Sequence, residues 1–343
     1  MRLVVIFTHG NFMQNHFKIS MGANDTETEK TTGKSVNYRF TGHDTFHCRY
    51  AWLPKTVRLL DNDHKLFSGN GDQAMVEIGV GKNMVQSIQF WAEATGIIEP
   101  DPCSKGFQPS NFGKLLLQKH DPYLENEETL WLLHWKISTN SEPLFAWDFL
   151  LNNWHRLDFV KSEVIEAFQK EVQRQDRKLS TSTLETHFEV FLHSYIPTRS
   201  RKGEVLEDNL DCPLVELRLI HCMGDRVSRD GSRREPAYSY RVDEKPEISD
   251  ELFIYCLNDF WNSKKSGDSI LDFRTISVSP GSPGQVFKIN EKSIRDRLER
   301  INVESAGAFI FEDTAVLQQV RRVKNASPDE LLERIYKKRI KHN

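Results

Sequence analysis

The side chains best suited to chemistry are concentrated in segment 42–55, which reads GHDTFHCRYAWLPK. Histidines titrate near neutral pH, and a carboxylate with water ligands suits Mg²⁺ better than Zn²⁺. The segment therefore predicts acid–base catalysis and metal binding, with His43, Asp44 and His47 as candidate catalytic residues and Asp44 as a candidate metal ligand. The alternative interpretation is that Asp44 or Thr45 caps the helix that follows and that the histidines only pack.

A second candidate site is segment 78–83, IGVGKN, at the start of an amphipathic stretch. It departs from the Walker phosphate-loop pattern, because Val76 stands where the first glycine belongs and Asn83 replaces Ser or Thr. What remains is a helix amino terminus, whose N–H groups and dipole favour an anion such as a DNA phosphate, with the charge of Lys82 beside it. Asn83 and Gln86 could then read base edges. The alternative is a glycine-containing turn between two packed helices, followed by a solvated polar face.

Charged clusters elsewhere give weaker indications. Asp208 and Asp211 lie beside Cys212, and paired carboxylates can hold Mg²⁺ for phosphodiester cleavage, although an acidic loop is the alternative. The arginine-rich segment 225–241 allows phosphate contact but also fits a solvated loop, and the basic tail from residue 317 allows either DNA contact or docking by a short helix that starts at Ser327. The sequence contains no recognisable nuclease, serine-hydrolase or zinc-protease signature.

The elements that must position these residues follow from hydrophobic periodicity. Segment 82–95 predicts the strongest helix, because apolar residues recur along it at three- and four-residue spacing. Shorter helices are predicted at 50–60 and 72–78, and two extended pieces joined by a loop follow in 97–113. Three helices and a hairpin are the order of a winged-helix unit, whose third helix usually enters the major groove of DNA.

The predicted fold class is α+β, predominantly α, built from tandem winged-helix or helix-turn-helix-like units. Further helices are predicted at 159–174, 183–195 (with Ser180 or Thr181 as its cap), 251–261, 269–277 and 290–301, a strand at 308–311, and loops at 198–211 and 225–246. The predicted domains are a flexible N-terminal extension (1–39), a winged-helix-like DNA-binding domain (40–140), a helical domain with a second helix-turn-helix-like unit (141–245), a C-terminal winged-helix-like unit (246–324) and a basic tail (325–343).

Composition limits the class of protein. The 343 residues are 38% hydrophobic and 28% charged, which is typical of a folded protein of two or three domains and excludes a disordered or fibrous chain. A net charge of −3 excludes nucleic-acid binding by bulk positive charge alone but leaves a local basic patch open. Five scattered cysteines without a C-x-x-C pair predict neither a disulfide framework nor a thiolate zinc site. No apolar run approaches the ~18 residues of a membrane span and no signal peptide is recognisable, so we expect a cytoplasmic protein with no membrane partner.

Segments 42–55 and 79–91 (GVGKNMVQSIQFW) resemble a bacterial family of SspB-type proteins that accompanies DNA phosphorothioation (Ssp) genes. Further agreement lies at 211–214, 282–287 and 313–315, and the likeness covers about 40–324. The resemblance implies a DNA-binding partner of cysteine desulfurase, ATPase and ATP-pyrophosphatase-like components, which nicks double-stranded DNA with Mg²⁺ so that sulfur can enter one strand. Within the matching segments it implies DNA contacts by Arg49, Lys55, Lys82 and Asn83.

The predicted function is therefore that of a Mg²⁺-dependent DNA-nicking endonuclease in a bacterial phosphorothioation defence system of the restriction–modification type. A non-catalytic DNA-binding adaptor or sequence reader of the same complex is the alternative, and the absence of a nuclease signature in the sequence favours it. A transcription regulator is a third class, which predicts operator binding without partners. The sequence leaves the choice between a monomer and a homodimer open.

Overall fold

The first described elements are three helices followed by a hairpin. The structure, a computed structural model, describes residues 37–68, 71–197, 212–228, 231–264, 267–314 and 316–337. Helices α1 (Trp52–Leu60), α2 (Asp72–Ile78) and α3 (Lys82–Ala94) precede strands β1 (Ile98–Pro100) and β2 (Phe107–Pro109), which pair antiparallel. This is the order of elements that the sequence predicts for residues 50–113.

A short turn joins α2 to α3. Gly79 ends α2 in the left-handed conformation, with φ of 75°, which is accessible to glycine because it has no Cβ. α3 then begins at Lys82 and buries one face, which includes Val85, Ile88 and Trp91. The helix predicted at 82–95 is confirmed, and its apolar stripe faces the core.

The middle of the chain combines helices with a small antiparallel sheet. Its helices are α4 (Asn111–Lys114), α5 (Glu127–Ser138), α6 (Phe145–Trp147), α7 (Lys161–Arg174) and α8 (Thr181–Tyr195). Wider π-helical turns continue α4 over Leu115–His120 and α6 over Asp148–Asn153, and a short 3₁₀ helix spans Pro213–Leu217. The sheet has the strand order β3-β5-β4, with β3 (Asp158–Val160), β4 (Ile220–Val227) and β5 (Arg234–Tyr240).

The prediction of a loop at 225–246 is wrong in part, because this segment contains the end of β4 and all of β5. β4 is an edge strand with mostly exposed residues, so it lacks the alternation of apolar and polar residues that marks a half-buried strand. The helices predicted at 159–174 and 183–195 are confirmed, with shifts of two residues at their starts. The cap predicted at Ser180 is confirmed too, because its Oγ accepts a hydrogen bond from the backbone N–H of Thr183.

The carboxyl-terminal part of the chain again alternates helices with a small sheet. Its elements are α9 (Asp250–Ser263), β6 (Ile270–Asp272), α10 (Phe273–Val278), α11 (Pro283–Phe287), α12 (Glu291–Glu304), β7 (Phe309–Asp313), β8 (Gln318–Arg322) and α13 (Pro328–Lys337). The sheet is antiparallel with the order β6-β8-β7. The predicted elements at 251–261, 290–301 and 308–311 are confirmed with small shifts at their ends, whereas 269–277, predicted as one helix, divides into β6 and α10.

An apolar core runs through the described residues, which belong to one compact unit. Its largest fully buried side chains include four tryptophans, Trp91, Trp131, Trp135 and Trp147. α13 packs against α9 and buries Leu331, Leu332, Ile335 and Tyr336. The short helix predicted to start at Ser327 is therefore present, and its apolar face contributes to the core.

The fold is mixed α and β, as predicted, with about half of the described residues in helices and with small antiparallel sheets. The winged-helix assignment and the domain boundaries stay predictions. Residues 1–36, and with them most of the predicted N-terminal extension, lie outside the described residues, as do residues 338–343 of the predicted tail. Within the described segments, no helix combines the length and the apolar character that crossing a membrane requires.

Candidate nucleic-acid interface

The amino terminus of α3 carries side chains that the sequence assigns to DNA. Its N-cap residue, Gly81, provides no side-chain hydrogen bond, and its first turn contains no acidic residue. Among the described residues, the first N–H groups of α3 therefore have no side-chain acceptor at the positive end of the helix dipole. Lys82, Asn83 and Gln86 are exposed, and none of the three makes a hydrogen bond or ion pair with a described residue. This end of α3 is free to accept an anion from outside.

Lys55 and Arg49, two further predicted DNA contacts, are partly engaged within the protein. Lys55 Nζ donates a hydrogen bond to the carbonyl oxygen of Ile78 at 2.6 Å, at the carboxyl end of α2. A positive charge there offsets the negative end of the helix dipole. The guanidinium of Arg49 lies over the ring of Trp52, with 5.5 Å between Cζ and the ring centroid. Lys55 is thus close to the turn between α2 and α3, whereas Arg49 contacts the first turn of α1.

The segment before α1 fixes the position of α3. Ser87 Oγ donates to the carbonyl oxygen of His43 at 2.8 Å, and Trp91 Nε1 donates to the carbonyl oxygen of Phe46 at 3.0 Å. Both donors lie on the buried face of α3. The two segments that the sequence singles out, 42–55 and 78–83, therefore belong to one packed substructure.

His43 is 2% exposed and forms part of a chain of hydrogen bonds. The backbone N–H of Ala146 donates to His187 Nε2 at 3.0 Å, so the proton of this imidazole is assigned to Nδ1. His187 Nδ1 then donates to His43 Nε2 at 2.6 Å, and His43 Nδ1 donates to the carbonyl oxygen of Asp44 at 2.8 Å. Burial lowers the pKa of both imidazoles, and in His187 the neighbouring His43 adds to this effect. Both rings are neutral at pH 7 and enclosed by the protein, and acid–base catalysis by His43 stays a prediction.

Asp44 is the candidate metal ligand that the structure describes. Its backbone adopts the left-handed conformation, with φ of 49°, and its Oδ2 is buried without a hydrogen-bond partner. His47 lies half-buried in the same segment. Within the described part of the chain, no three His, Cys, Asp or Glu side chains come together as a metal-binding group. One carboxylate does not make a complete Mg²⁺ site, and the other predicted ligands, Asp208 and Asp211, lie outside the described residues.

The arginines of the predicted basic segment 225–241 are partly neutralised. Arg226 pairs with Asp158 at 2.6 Å and with Glu163 at 3.0 Å. Arg241 pairs with two nearby carboxylates. A phosphate would have to compete with these acidic side chains, so these two arginines do not form an open anion-binding surface.

α12, the third helix of the predicted C-terminal unit, also has its arginines paired. Arg297 and Arg300 both pair with Asp250, at 3.3 and 3.0 Å, and Arg295 pairs with Asp313. α3 differs from α12 in this respect, because Lys82 has no ion pair with any described residue.

Sequence reasoning did not identify His187, although its ring holds His43 in place. The available signal was a histidine on the apolar stripe of α8, next to Phe188 and three residues after Leu184. Such a position predicts a buried polar residue that needs a partner, but it does not say which partner.

Comparisons with known proteins agree with this architecture. Two solved structures are similar to the chain. One, described as the magnesium ion-bound SspB crystal structure, has a TM-score of 0.72 at 22% sequence identity and covers 86% of this chain and 87% of that one. The other, described as the SspB crystal structure, has a TM-score of 0.74 at 21% identity and covers 88% and 89%. The chain therefore has the fold of these SspB structures, as the sequence resemblance predicts, whereas no curated protein matches it.

The family comparison covers nearly all of the described residues. A family model described as "Protein of unknown function (DUF4007)" matches residues 40–336, so the chain belongs to this family.

Proposed function

We propose that this protein is a DNA-binding component of a DNA phosphorothioation system and that α3 is the element that enters the major groove. The observation that carries the proposal is the amino terminus of α3, which lacks a side-chain cap and exposes Lys82, Asn83 and Gln86 without partners among the described residues. The link to phosphorothioation is supported by the likeness in fold to SspB and by the resemblance of segments 42–55 and 79–91.

The order of elements supports a winged-helix interpretation of both ends of the chain. In the first unit, α1, α2 and α3 precede the β1–β2 hairpin. In the second, β6 lies between α9 and α10, the β7–β8 hairpin follows α12, and the strand order is β6-β8-β7. We assign DNA contact to the first unit, because the arginines of α12 are already paired with carboxylates.

The side chains of α3 suggest a division of roles. Lys82 at the first helical position would contact a phosphate together with the free N–H groups. Asn83 and Gln86 are three residues apart and so lie on one face of the helix. Their amides can pair with the N6 and N7 atoms of adenine, which predicts contact with base edges.

The test is the dependence of duplex binding on salt, measured by fluorescence anisotropy over a range of NaCl concentrations. We expect Lys82→Ala to weaken binding and to reduce the slope of log K against log salt by about 0.9, because one phosphate contact is lost. Asn83→Ala should weaken binding with little change in this slope. Lys178→Ala, a change of an exposed lysine before α8, is the matched control. An unchanged slope in Lys82→Ala would exclude α3 as the DNA-binding helix.

Nicking of DNA with Mg²⁺ is a second candidate function. It is favoured by the fold similarity to a structure described as magnesium ion-bound SspB and by the unpartnered buried oxygen of Asp44. Relaxation of supercoiled plasmid tests it, in Mg²⁺, in EDTA and with Asp44→Ala. Relaxation that needs Mg²⁺ and is lost in Asp44→Ala would support nicking. DNA binding without relaxation would instead identify an adaptor or sequence reader.

The proposed partners are double-stranded DNA and the cysteine desulfurase, ATPase and ATP-pyrophosphatase-like components of the same system. Joint purification of these components with and without DNA tests the assembly. If the chain binds one operator sequence tightly and none of these components, it is a transcription regulator instead.

A further inference from the structure

A second positively charged feature lies far along the chain from α3, at the carboxyl end of α9. There residues 267–269, residues 322–325 and the end of α9 line a cavity of about 450 Å³. Its charged lining consists of Lys264, Arg322, Lys324 and Asp268. Three cations thus face one carboxylate, and the cavity has a net positive lining.

Arg322 is the central group of this cavity, and it lacks a counterion among the described residues. Its guanidinium lies beside two adjacent rings, with Cζ 4.7 Å from the ring centroid of Trp261 and 5.7 Å from that of Phe309. No described carboxylate lies within ion-pair distance of it, in contrast to Arg321, which pairs with Glu312 at 3.0 Å. Desolvation lowers the pKa of Arg322, as expected for a partly enclosed charge without a negative partner.

The hydrogen bonds of Arg322 leave part of its donor capacity unused. One terminal nitrogen donates to Asn262 Oδ1 at 2.8 Å, and the other reaches the carbonyl oxygen of Asn258 at 3.4 Å. The Nε atom is buried and has no hydrogen-bond partner. A guanidinium has five N–H donors, so donors remain for a ligand after the contacts to α9 are made.

The two lysines of the cavity add charge without internal partners of their own. Lys264 follows α9, and its Nζ lies 4.6 Å from the ring centroid of Phe260. Lys324 is exposed, and neither lysine forms an ion pair with a described carboxylate. Asp268 is held through its backbone, whose carbonyl oxygen accepts a hydrogen bond from Trp261 Nε1 at 2.8 Å. The rigid aromatic base and the unpaired cations are the features of a preformed anion site.

We infer that this cavity binds a phosphoryl group, through Arg322 with Lys264 and Lys324. The inference goes beyond the proposed function, because the cavity shares no residue with α3. The phosphoryl group could come from the DNA backbone or from a free phosphate compound, and both sources offer the same oxygen acceptors to the same donors.

The first experiment measures binding of inorganic phosphate to the whole chain by ³¹P NMR line broadening, at constant ionic strength maintained with NaCl. The test variant carries Lys264→Ala and Lys324→Ala and keeps Arg322, whose stacking contributes to the core. We expect phosphate to bind about fivefold more weakly to this double variant, because two charges that are exposed to salt screening are removed. Lys178→Ala should bind phosphate as the unchanged chain does.

Two outcomes would overturn the inference. One is a phosphate signal that stays sharp in the presence of the unchanged chain, and the other is a double variant that retains the full phosphate affinity. Lys82→Ala is the control for phosphate binding at the amino terminus of α3. If phosphate binding is lost in Lys82→Ala and persists in the double variant, the phosphate binds at α3 and not in the cavity. Circular dichroism melting of each variant verifies that the fold is intact.

The second experiment identifies the source of the phosphoryl group through duplex binding over a range of salt. If the DNA backbone fills the cavity, the double variant should reduce the salt slope by about 0.9, because the cavity holds one phosphate. If phosphate binding is lost while the slope is unchanged, a free phosphate compound is the ligand. The two proposals fail in different experiments. The α3 proposal fails if Lys82→Ala leaves the salt dependence of duplex binding unchanged, whereas the cavity proposal fails if the double variant binds phosphate as tightly as the unchanged chain.

Discussion

At the level of single residues, the buried histidines His43, His134 and His187 are neutral because burial disfavours the charged ring and lowers the pKa of each. Their ring nitrogens are hydrogen-bonded inside the protein. In α5, His134 Nε2 donates to the carbonyl oxygen of Val286 at 3.1 Å, and Nδ1 accepts from the hydroxyl of Tyr195 at 2.8 Å. Burial is the main reason that the pKa of His134 falls to about 4, and the charges of Lys288 and Lys245 act in the same direction. A second proton on this ring would be poorly solvated.

His134 therefore predicts a loss of stability in acid. Its pKa is about 4 in the folded chain and near the ordinary histidine value of 6.5 in the unfolded chain, so the unfolded chain binds the proton first as pH falls. The stabilisation is complete above pH 6.5 and is lost progressively below it, on the order of 3 kcal/mol in total. Urea unfolding at pH 7.5, 5.5 and 4.5 measures it. His134→Gln should flatten this dependence, and an equal dependence in both proteins would contradict the assignment.

At the residue scale, the sequence showed where polar chemistry is concentrated but not how it is arranged. Segment 42–55 is dense in polar side chains, yet the ring of His43 turns inward to His187, which lies 144 residues away in the chain. A contact over such a separation has no local signature. The exposure of Lys82, by contrast, follows from its place on the polar face of a periodic helix, which a sequence does reveal.

At the level of single elements, substitutions of Gly81 can distinguish an effect on the stability of α3 from an effect on ligand binding at its amino terminus. Its φ of −70° and ψ of 163° suit any L-residue, and a Cβ there would meet nothing within 4 Å. Ser or Asp at this position could accept hydrogen bonds from the first N–H groups of α3.

We expect Gly81→Asp and Gly81→Ser to have similar effects on stability and different effects on DNA. Either cap should stabilise the fold by a few tenths of a kcal/mol, because glycine is itself a tolerated N-cap. Gly81→Asp should weaken duplex binding about fivefold or more, because its carboxylate repels a phosphate at the same N–H groups, whereas Gly81→Ser should have a smaller effect. Thermal unfolding and anisotropy measure the two quantities. Equal DNA affinity of the two variants would argue against a phosphate at this helix end.

Elements with clear periodicity were predictable, and irregular ones were not. α3, α7 and α8 were recognisable because each buries one stripe at helical spacing. The π-helical turns at Leu115–His120 and Asp148–Asn153 interrupt that spacing, so no local sequence pattern predicts them.

At the level of the whole molecule, α13 connects the carboxyl-terminal part of the described chain to α4 and α5. Thr129 in α5 hydrogen-bonds through its hydroxyl to Tyr336 at 2.8 Å, and Asn111 in α4 donates to Asp329 at 2.8 Å. The sequence predicted an amphipathic helix here, but it could not say what the apolar face packs against, because docking depends on the shape of a surface assembled from distant segments.

Shortening one core side chain of α13 should destabilise the whole molecule. Leu332 is 1% exposed, and Leu332→Ala is expected to cost about 2–5 kcal/mol, the usual range for a buried leucine that leaves a cavity. Lys337→Ala, at the exposed end of the same helix, is the matched control and should change stability little. Denaturant unfolding followed by tryptophan fluorescence measures both. If Leu332→Ala unfolds at the same denaturant concentration as the unchanged chain, α13 is not part of the cooperative core.

The enclosed imidazole pair of His43 and His187 has a consequence for chemical labelling. Since every ring nitrogen of the pair is occupied, acylating reagents such as diethylpyrocarbonate can react with either ring only after the segment before α1 has separated from α8. The rate at which these two rings react would therefore measure how often the segment before α1 separates from α8.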